Sequence, residues 1–530
     1  MPNDRPLVIS GAPASGKSTL APRVARALGY RHVDLDDEIA VRAGMRPGTL
    51  LAKHGEATLR ALESLALREV IAQPRVVVAV GGGALVERRL RHDVLRRATV
   101  VTLSAPAPVL LERMRDGEAR PLVTHAPDPS AALEALLQTR AMAYAEAHLH
   151  ADSAANPPDA LVDAVRAVHT RAPLLVPLGH ATQRVEVGSV VDAKSTLVDL
   201  AGGAKTLLVT DRHVAQAMRG RGRVGMPAVH REIAIPPGEP HKTLSMARRV
   251  WDALLALGAD RDSLVLARGG GVVTDLAGFA AATYLRGVRY VSLPTSLLAM
   301  VDASVGGKTA VNHPRGKNLL GAFHHPSLVW IDPAYTSTLP VREWRAGMAE
   351  VVKMAATLDA ALLATIEQHA EALSTPPPRE GDDPHRALRE DVIRATVQAK
   401  IDVVARDERE AGARRLLNFG HTVGHGIEHA SRYRLRHGEA VAVGMMAAME
   451  LGVREGVTPP ALRDRVGRLL DALGLPLRAK VPQAAVSKAL RHDKKRAHDT
   501  ILGVLLTGEG AAEVRSLPIQ RFDAVLDCVT

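Results

Sequence analysis

"GAPASGKS", residues 11–18, follows the apolar run "LVIS" (7–10) and precedes a helical pattern. It fits G-x4-G-K-[ST], a loop whose glycines let backbone N–H groups turn toward phosphate oxygens at a helix N-terminus. In that reading Lys17 reaches the β- and γ-phosphates of ATP and Ser18 helps to hold Mg²⁺. Ala14, Ser15, Gly16 and Thr19 complete the ATP-binding loop. Strand, phosphate loop and helix in that order specify an α/β layer fold.

Outward from the loop, "RVVVAV" (75–80) and "ATVVTL" (98–103) have the continuous apolar character of buried parallel strands. Near "VHTRAPLLVPLG" (168–179) helical patterning stops, which sets a first domain at 1–170 and a second at 171–530. Alternation resumes with "KTLLVT" (205–210), "DSLVLARGGG" (262–271) and "RYVSLPTS" (289–296). Past about 340 long helical stretches take over, broken by the loop "STPPPREGDDP" (374–384). The second domain is therefore expected to have an α/β half, 171–339, and a helical half, 340–530.

Bulk composition narrows the function classes. A chain of 530 residues exceeds one ordinary core, and 46% hydrophobic with 24% charged residues is a globular balance. The single Cys528 excludes an intrachain disulfide and a cysteine-rich zinc site, so any metal must draw on histidines and carboxylates. The net charge of +11 is dispersed among acids, with no basic tail or aromatic platform. Small anionic substrates are therefore expected, and not nucleic acid. There is no run of 18 apolar residues, and "MPNDRPLVIS" lacks the apolar core of a signal peptide. The expectation is a cytoplasmic protein with no membrane partner.

"LNFGHTVGHGIEH" (417–429) spaces His421, His425 and His429 four apart, on one face if helical. Spacing alone leaves open a metal site, a proton relay or a polar helix face. Thr422 stands where an H-E-x-x-H metalloprotease helix needs Glu.

Five further stretches join the phosphate loop: "HVDLDDEI" (32–39), "HGEATLRALE" (54–63), "VGGGAL" (80–85), "GEARPLV" (117–123) and "RAMAYAEAH" (140–148). In this order and spacing residues 5–168 resemble shikimate kinase, a P-loop kinase with a parallel sheet. The resemblance implies that Asp36, Arg60, Gly82 and Arg140 hold shikimate, the two arginines pairing with its carboxylate. Asp36 is then the general base or orienting group, Asp34 lies near the Mg²⁺ shell, and Arg120 stabilises the transferred phosphoryl and contacts ATP. Leu59 stands where the family usually has Phe, at a packing position.

The run "ARGGGVVTDLAGFAAATYLRGVRYVSLPTSLLAMVDASVGGKTAVNHPRGKN" (267–318) resembles 3-dehydroquinate synthase, and the likeness extends from about 172 to 530. It implies an NAD-binding α/β half, a helical half and an active site between them. Gly270, Gly271 and Val272 would approach the pyrophosphate of NAD, with Asp275 beside it. Glu239, Lys242, Thr295, Ser296, Lys308, Lys317 and Thr338 would complete that site; the family commonly has Thr where this chain has Ser296. Glu350, His421 and His437 match the family's ligands for Zn²⁺ or Co²⁺, and His425 its catalytic-pocket histidine, while His429 is left as a polar face residue. Substrate contacts implied are Asp302, Lys308, Lys317, Asn318, Lys353, Lys400, Arg286, Arg414, Asn418 and one of Lys494 and Lys495.

The implied chemistry is a bifunctional one within one pathway, toward chorismate and the aromatic amino acids. One domain phosphorylates shikimate with ATP; the other converts DAHP, a seven-carbon keto sugar acid phosphate, to 3-dehydroquinate with loss of phosphate. A homodimer through the synthase domain is compatible with the resemblance. Three other readings carry less: polyol dehydrogenases lack the "PTSLLAMVDASVGGK" block, other sugar-phosphate cyclases share the fold, and a nucleotide-gated scaffold would need lost catalytic groups.

Overall fold

The computed structural model describes residues 4–115, 121–124, 126–178, 182–189, 194–219, 226–491, 496–497 and 500–530. The chain forms two compact units, 1–182 and 183–530. The boundary expected at 170/171 falls between the helix Pro158–Thr170 and the strand Leu174–Pro177.

In the first unit β1 (Leu7–Gly11), β2 (Arg31–Asp34), β3 (Val76–Ala79), β4 (Thr99–Ser104) and β5 (Leu149–Asp152) form a sheet in the order β2-β3-β1-β4-β5. Every pairing is parallel. The central strands are apolar throughout because helices cover both faces and leave no solvent side. Between β1 and α1 (Lys17–Leu28) the chain reverses through Gly16 at φ 92, a left-handed conformation that favours glycine. Asp34 ends β2 and caps α2 (Leu35–Ala43) by accepting from Asp36 N at 3.0 Å. That cap aims the first turn of α2 toward the phosphate loop. A long kinked helix, α3 (Pro47–Val70), and a later one, α4 (Pro129–Ala145), carry the arginines. A further strand, β6 (Leu174–Pro177), ends the unit.

The second unit has a parallel sheet running β7-β14-β11-β10-β8-β9. Its members are β7 (Thr182–Val187), β8 (Thr206–Asp211), β9 (Arg231–Ile235), β10 (Leu264–Gly269), β11 (Arg289–Pro294) and β14 (Leu328–Ile331). An antiparallel hairpin, β12 (Lys308–His313) and β13 (Gly316–Phe323), projects between β11 and β14 in the chain order. The helix α5 (Gly271–Thr283) begins directly after β10.

The helical half is built on α6 (Val341–Leu358), α7 (Arg386–Val404), α8 (His421–Ala430) and α9 (His437–Arg454). It also contains an antiparallel sheet, Arg496–Ala497, Thr500–Gly508 and Ala511–Pro518, which the helical expectation did not include. Leu505 and Leu517 of that sheet pack in the same apolar cluster as Val423 and Ile427 of α8 and Val443 and Ala447 of α9. The cluster fixes the two histidine-bearing helices against one support.

The helices α8 and α9 cross at backbone distance. A Cβ on Gly444 would fall on the carbonyl of Gly420, and one on Gly438 would strike the carbonyl of Ala346 in α6. Both obstacles are backbone and cannot swing aside. Gly444→Ala should therefore lower stability by about 1–3 kcal/mol, the usual cost of overpacking a tight core. Urea denaturation followed by circular dichroism checks this; an unchanged midpoint would show that the crossing is looser than described.

Candidate functional sites

In the first unit a cavity of about 440 Å³ is lined by Ala14, Gly16, Lys17, Ser18, Thr19, Asp34, Asp36, Gly81 and Gly82 among others. Lys17 Nζ donates to the carbonyls of Gly11 (3.0 Å) and Ala12 (2.7 Å), so its ammonium is folded over the loop. Ser15 is fully buried beneath it. Asp34 and Asp36 enter from the start of α2.

The expected shikimate ligands meet at Gly81–Gly83. A Cβ at position 82 would crowd Gly11 O at 3.2 Å and Arg140 Nη1 at 3.3 Å, and one at position 83 would displace the Arg60 guanidinium. Arg60 is held by Glu63 at 2.6 Å and Glu56 at 2.8 Å. Arg140 is buried, and Tyr144, one turn on, donates to the Gly82 carbonyl at 2.7 Å. Burial pushes the Glu63 carboxyl up, while Arg60 and Arg140 act against it. Arg120 lies outside the described residues. Arg113 also lines the cavity, braced by Ser153 Oγ at 3.0 Å, and sequence spacing gave it no role.

In the second unit a cavity of about 1280 Å³ runs from the sheet's C-terminal edge to the helical half. Glu239, Lys242, Gly270, Gly271, Val272, Asp275, Ser296, Lys317, Asn318, His425 and His437 line it. A cavity outside the carboxyl ends of parallel strands, at the N-terminus of α5, suits a dinucleotide phosphate. Lys242 is buried, ion-paired with Asp275, and donates to Asn318 Oδ1 at 2.7 Å. Glu239 accepts from Asn312 Nδ2 at 2.7 Å. Thr295 is buried and Thr338 half-buried, and neither lines the cavity. Arg286 is exposed at φ 66 in the turn after α5 and lies away from the cavity lining.

Charge concentrates behind His437, among residues that do not themselves line this cavity. Lys353 is 1% exposed, paired with the fully buried Glu350 and, at 3.9 Å, with Asp302. Asp302 also pairs with Lys400. Burial favours the neutral acid in both carboxyls, but Lys353 with Lys400 holds Asp302, and Lys353 chiefly holds Glu350, well below the ordinary range. Burial pushes the Lys400 ammonium down to about 8, Asp302 opposing and Arg414 assisting. Arg414 is buried, its Nη2 donating to Gly306 O at 3.1 Å. Lys308 pairs with Glu410, which also accepts from Asn418 Nδ2 at 2.7 Å.

Glu350, His421 and His437 offer donor atoms within 4.8 Å of one another. They come from three helices, α6, α8 and α9. His437 Nε2 is 3.3 Å and His421 Nε2 3.7 Å from Glu350 Oε1. Both Glu350 oxygens are buried in ion-pair contact only, without a well-directed hydrogen bond. Burial and Lys353 hold His421 well below its ordinary value, in the neutral form a metal requires. A buried, under-satisfied carboxylate facing two imidazoles fits a divalent cation. His425 is exposed to the cavity beside them, its ring centroid 5.4 Å from that of His421.

Residues 232–346 match the family model described as 3-dehydroquinate synthase N-terminal, and 347–496 that described as 3-dehydroquinate synthase C-terminal. The 3-dehydroquinate synthase of Synechococcus sp. is 42% identical over 346 residues, which span 62% of this chain and 90% of the relative. The chain belongs to the 3-dehydroquinate synthase family. The synthase of Desulforamulus reducens is likewise 42% identical, over 62% of this chain and 91% of its own length. Residues 13–169 match the shikimate kinase family model. The chain is thus a bifunctional shikimate-pathway enzyme, with a shikimate kinase domain and a 3-dehydroquinate synthase. Among solved structures, a 2-epi-5-epi-valiolone synthase from Streptomyces hygroscopicus subsp. jinggangensis, with NAD⁺ and Zn²⁺ bound, is 31% identical. It covers 66% of this chain and 97% of that one at a TM-score of 0.60. A 2-deoxy-scyllo-inosose synthase complexed with carbaglucose-6-phosphate, NAD⁺ and Co²⁺ is 26% identical, covering 68% and 100%, at a TM-score of 0.58.

Three acids of this synthase and kinase went unmarked by sequence spacing: Glu63, Glu410 and Glu428. Glu410 and Glu428 are paired with cations distant in sequence, Lys308 and Lys317, whereas Glu63 pairs with Arg60 one turn earlier on α3; "RDERE" (406–410), an acidic cluster just ahead of Arg414 and Asn418, is a local hint to Glu410.

The depressed Lys400 has a consequence for pH. Below about 8 it is an ammonium, and above that it becomes neutral. Inorganic phosphate, as an anionic probe of the synthase site, should bind more weakly as pH rises past about 8. Lys400→Arg, whose guanidinium does not deprotonate in this range, should abolish that inflection. Isothermal titration across pH 7–10 checks it; identical profiles for the two proteins would remove Lys400 from the account.

Proposed function

We propose that the two cavities carry the two reactions with the following division of labour. In the kinase unit the loop Ala14–Thr19 holds ATP, Lys17 leaving its loop carbonyls for the terminal phosphates. Ser18, with Asp34 in the surrounding shell, holds Mg²⁺, which when bound neutralises charge on the phosphates. Arg60 and Arg140 pair with the shikimate carboxylate across Gly82, and Asp36 accepts the proton of the reacting hydroxyl. Arg120 is assigned the transferred phosphoryl. The observation that supports this reading is the meeting of Asp36, Arg60 and Arg140 around the unsubstituted Gly81–Gly83 turn, within reach of the phosphate loop.

In the synthase unit Gly270, Gly271, Val272, Asp275, Glu239 and Lys242 would hold NAD⁺, which when bound supplies a hydride acceptor and donor. Glu350, His421 and His437 would hold Zn²⁺ or Co²⁺, which when bound polarises a substrate oxygen. Lys353, Lys400 and Arg414 supply cations for a substrate bearing a carboxylate and a phosphate. Asp302 orients the two lysines, His425 contacts the substrate from the cavity side, and Asn418 and Lys308, joined through Glu410, keep their family-implied substrate role. Arg286 and one of Lys494 and Lys495 keep their family-implied substrate role, and a homodimer through this unit and a cytoplasmic setting belong to the same reading. The domains are assigned as 1–170 and 171–530. The triad of buried Glu350 and His421 with the cavity-lining His437, beside Lys353, supports the reading most directly.

Two assays on the full chain test both halves. Phosphate release from DAHP should need only trace NAD⁺ and should be lost with chelator, while ATP-dependent phosphorylation of shikimate continues once Mg²⁺ is restored. Lys17→Met should lower kinase turnover about 10²–10³-fold, the usual cost of one electrostatic contact to the reacting group, and leave phosphate release from DAHP intact. Stoichiometric NADH accumulation would instead indicate a dehydrogenase.

A further inference from the structure

Glu428 is buried in the last turn of α8, on the far side of His437 from Glu350. Its Oε2 accepts from His437 Nδ1 at 3.3 Å, and its Oε1 pairs with Lys317 Nζ, also at 3.3 Å. Lys317 comes from β13, and its ammonium lies 4.3 Å from the centroid of the Tyr433 ring. Two consecutive residues after α8, Arg432 (φ 52) and Tyr433 (φ 59), take left-handed backbone conformations that cost non-glycine residues about 1 kcal/mol or more each. The turn that pins them is closed on Glu428 itself: Tyr433 N donates to Glu428 O at 2.9 Å, and Ser431 Oγ donates to the same carbonyl at 2.9 Å. The end of α8 is thereby held so that one carboxylate is shared between His437 and a lysine of the hairpin.

We infer that Glu428 is a positioning residue: it fixes the ring orientation and tautomer of His437, so that Nε2 faces Glu350, and ties that ring to Lys317 of the hairpin. The inference rests on the reading of Glu350, His421 and His437 as the metal set. An imidazole whose Nδ1–H is taken by a carboxylate presents Nε2 as its lone pair, and such partners typically change metal affinity 10–100-fold. Glu428, His425 and His437 also have donor atoms within 4.8 Å of one another, so a direct ligand role for Glu428 is the competing arrangement. Two facts favour positioning. Both carboxylate oxygens of Glu428 are already engaged, by His437 and Lys317, whereas those of Glu350 have ion-pair contacts only. The Glu350 carboxylate is also the more buried, at 0% against 7% exposure.

The test uses the full chain, stripped of metal and titrated with Co²⁺, following the visible ligand-field absorption for both affinity and coordination. Thermal unfolding of the same preparations, followed by circular dichroism, serves as the measure of folded synthase unit. Glu428→Gln should weaken Co²⁺ about 10–100-fold and shift the absorption, while Glu428→Asp, which keeps the carboxylate charge that Gln loses, should recover part of both. Glu350→Gln should cost more affinity than Glu428→Gln. Unchanged affinity and spectrum in Glu428→Gln would overturn the inference, with the metal set itself intact. A loss in Glu428→Gln equal to or above that in Glu350→Gln would overturn it by making Glu428 a ligand. Failure of the unsubstituted chain to bind Co²⁺, or Co²⁺ binding indifferent to Glu350→Gln, would sink the metal reading and the inference with it.

Discussion

Lys353 is the constraint around which the synthase unit is arranged. An ammonium at 1% exposure is tolerable only if its charge is matched at close range, because isolated burial of an ion costs far more than a domain's net stability. Glu350, one helical turn away on α6, supplies that match, and Asp302 supplies more. Once two carboxylates are drawn inward, Lys400 pairs with Asp302, and ring nitrogens from α8 and α9 face Glu350. The result is a charge lattice with alternating signs, buried between the end of a parallel sheet and a helical layer. Replacing any one member leaves its neighbours with an uncompensated charge, so folding and site geometry are enforced by the same contacts.

The apolar architecture serves that lattice. Helices α8 and α9 approach until a glycine is the only residue that fits between their backbones. The small antiparallel sheet at 496–518 backs both of them. Without such close support, side chains such as His437 and His421 would have rotamer freedom incompatible with donor atoms held within 4.8 Å.

How much of this was legible in the sequence depends on range. The phosphate loop is local: eight consecutive residues specify strand, turn, lysine and helix, and the structure bears that out. The parallel strands were legible for the same reason, as continuous apolar runs bounded by turns. The triad of Glu350, His421 and His437 has no period or spacing that could reveal it, and only the family resemblance brought its members together. The regular histidine stripe was in fact misleading as a unit, since His421 turns toward Glu350, His425 faces the cavity, and the third donor comes from another helix. Glu63, Glu410 and Glu428 were illegible because an exposed acid and a buried, paired one have the same letter. The roles of Glu410 and Glu428 are set by Lys308 and Lys317, which lie near them only after folding, while Arg60 meets Glu63 within one helix. The sheet at 496–518 escaped notice because its flanks are helical and its exposed strand is mixed in polarity.

Each cavity is lined by residues of a single compact unit, and among the described residues neither borrows a side chain from the other. The covalent joint therefore acts as a ratio-keeper. One messenger and one translation event deliver both catalysts in equal copy number, whatever the promoter strength or protein turnover. The relative flux through two non-consecutive steps is then set by the turnover rates of the two sites, and selection can adjust it only by substitutions inside them.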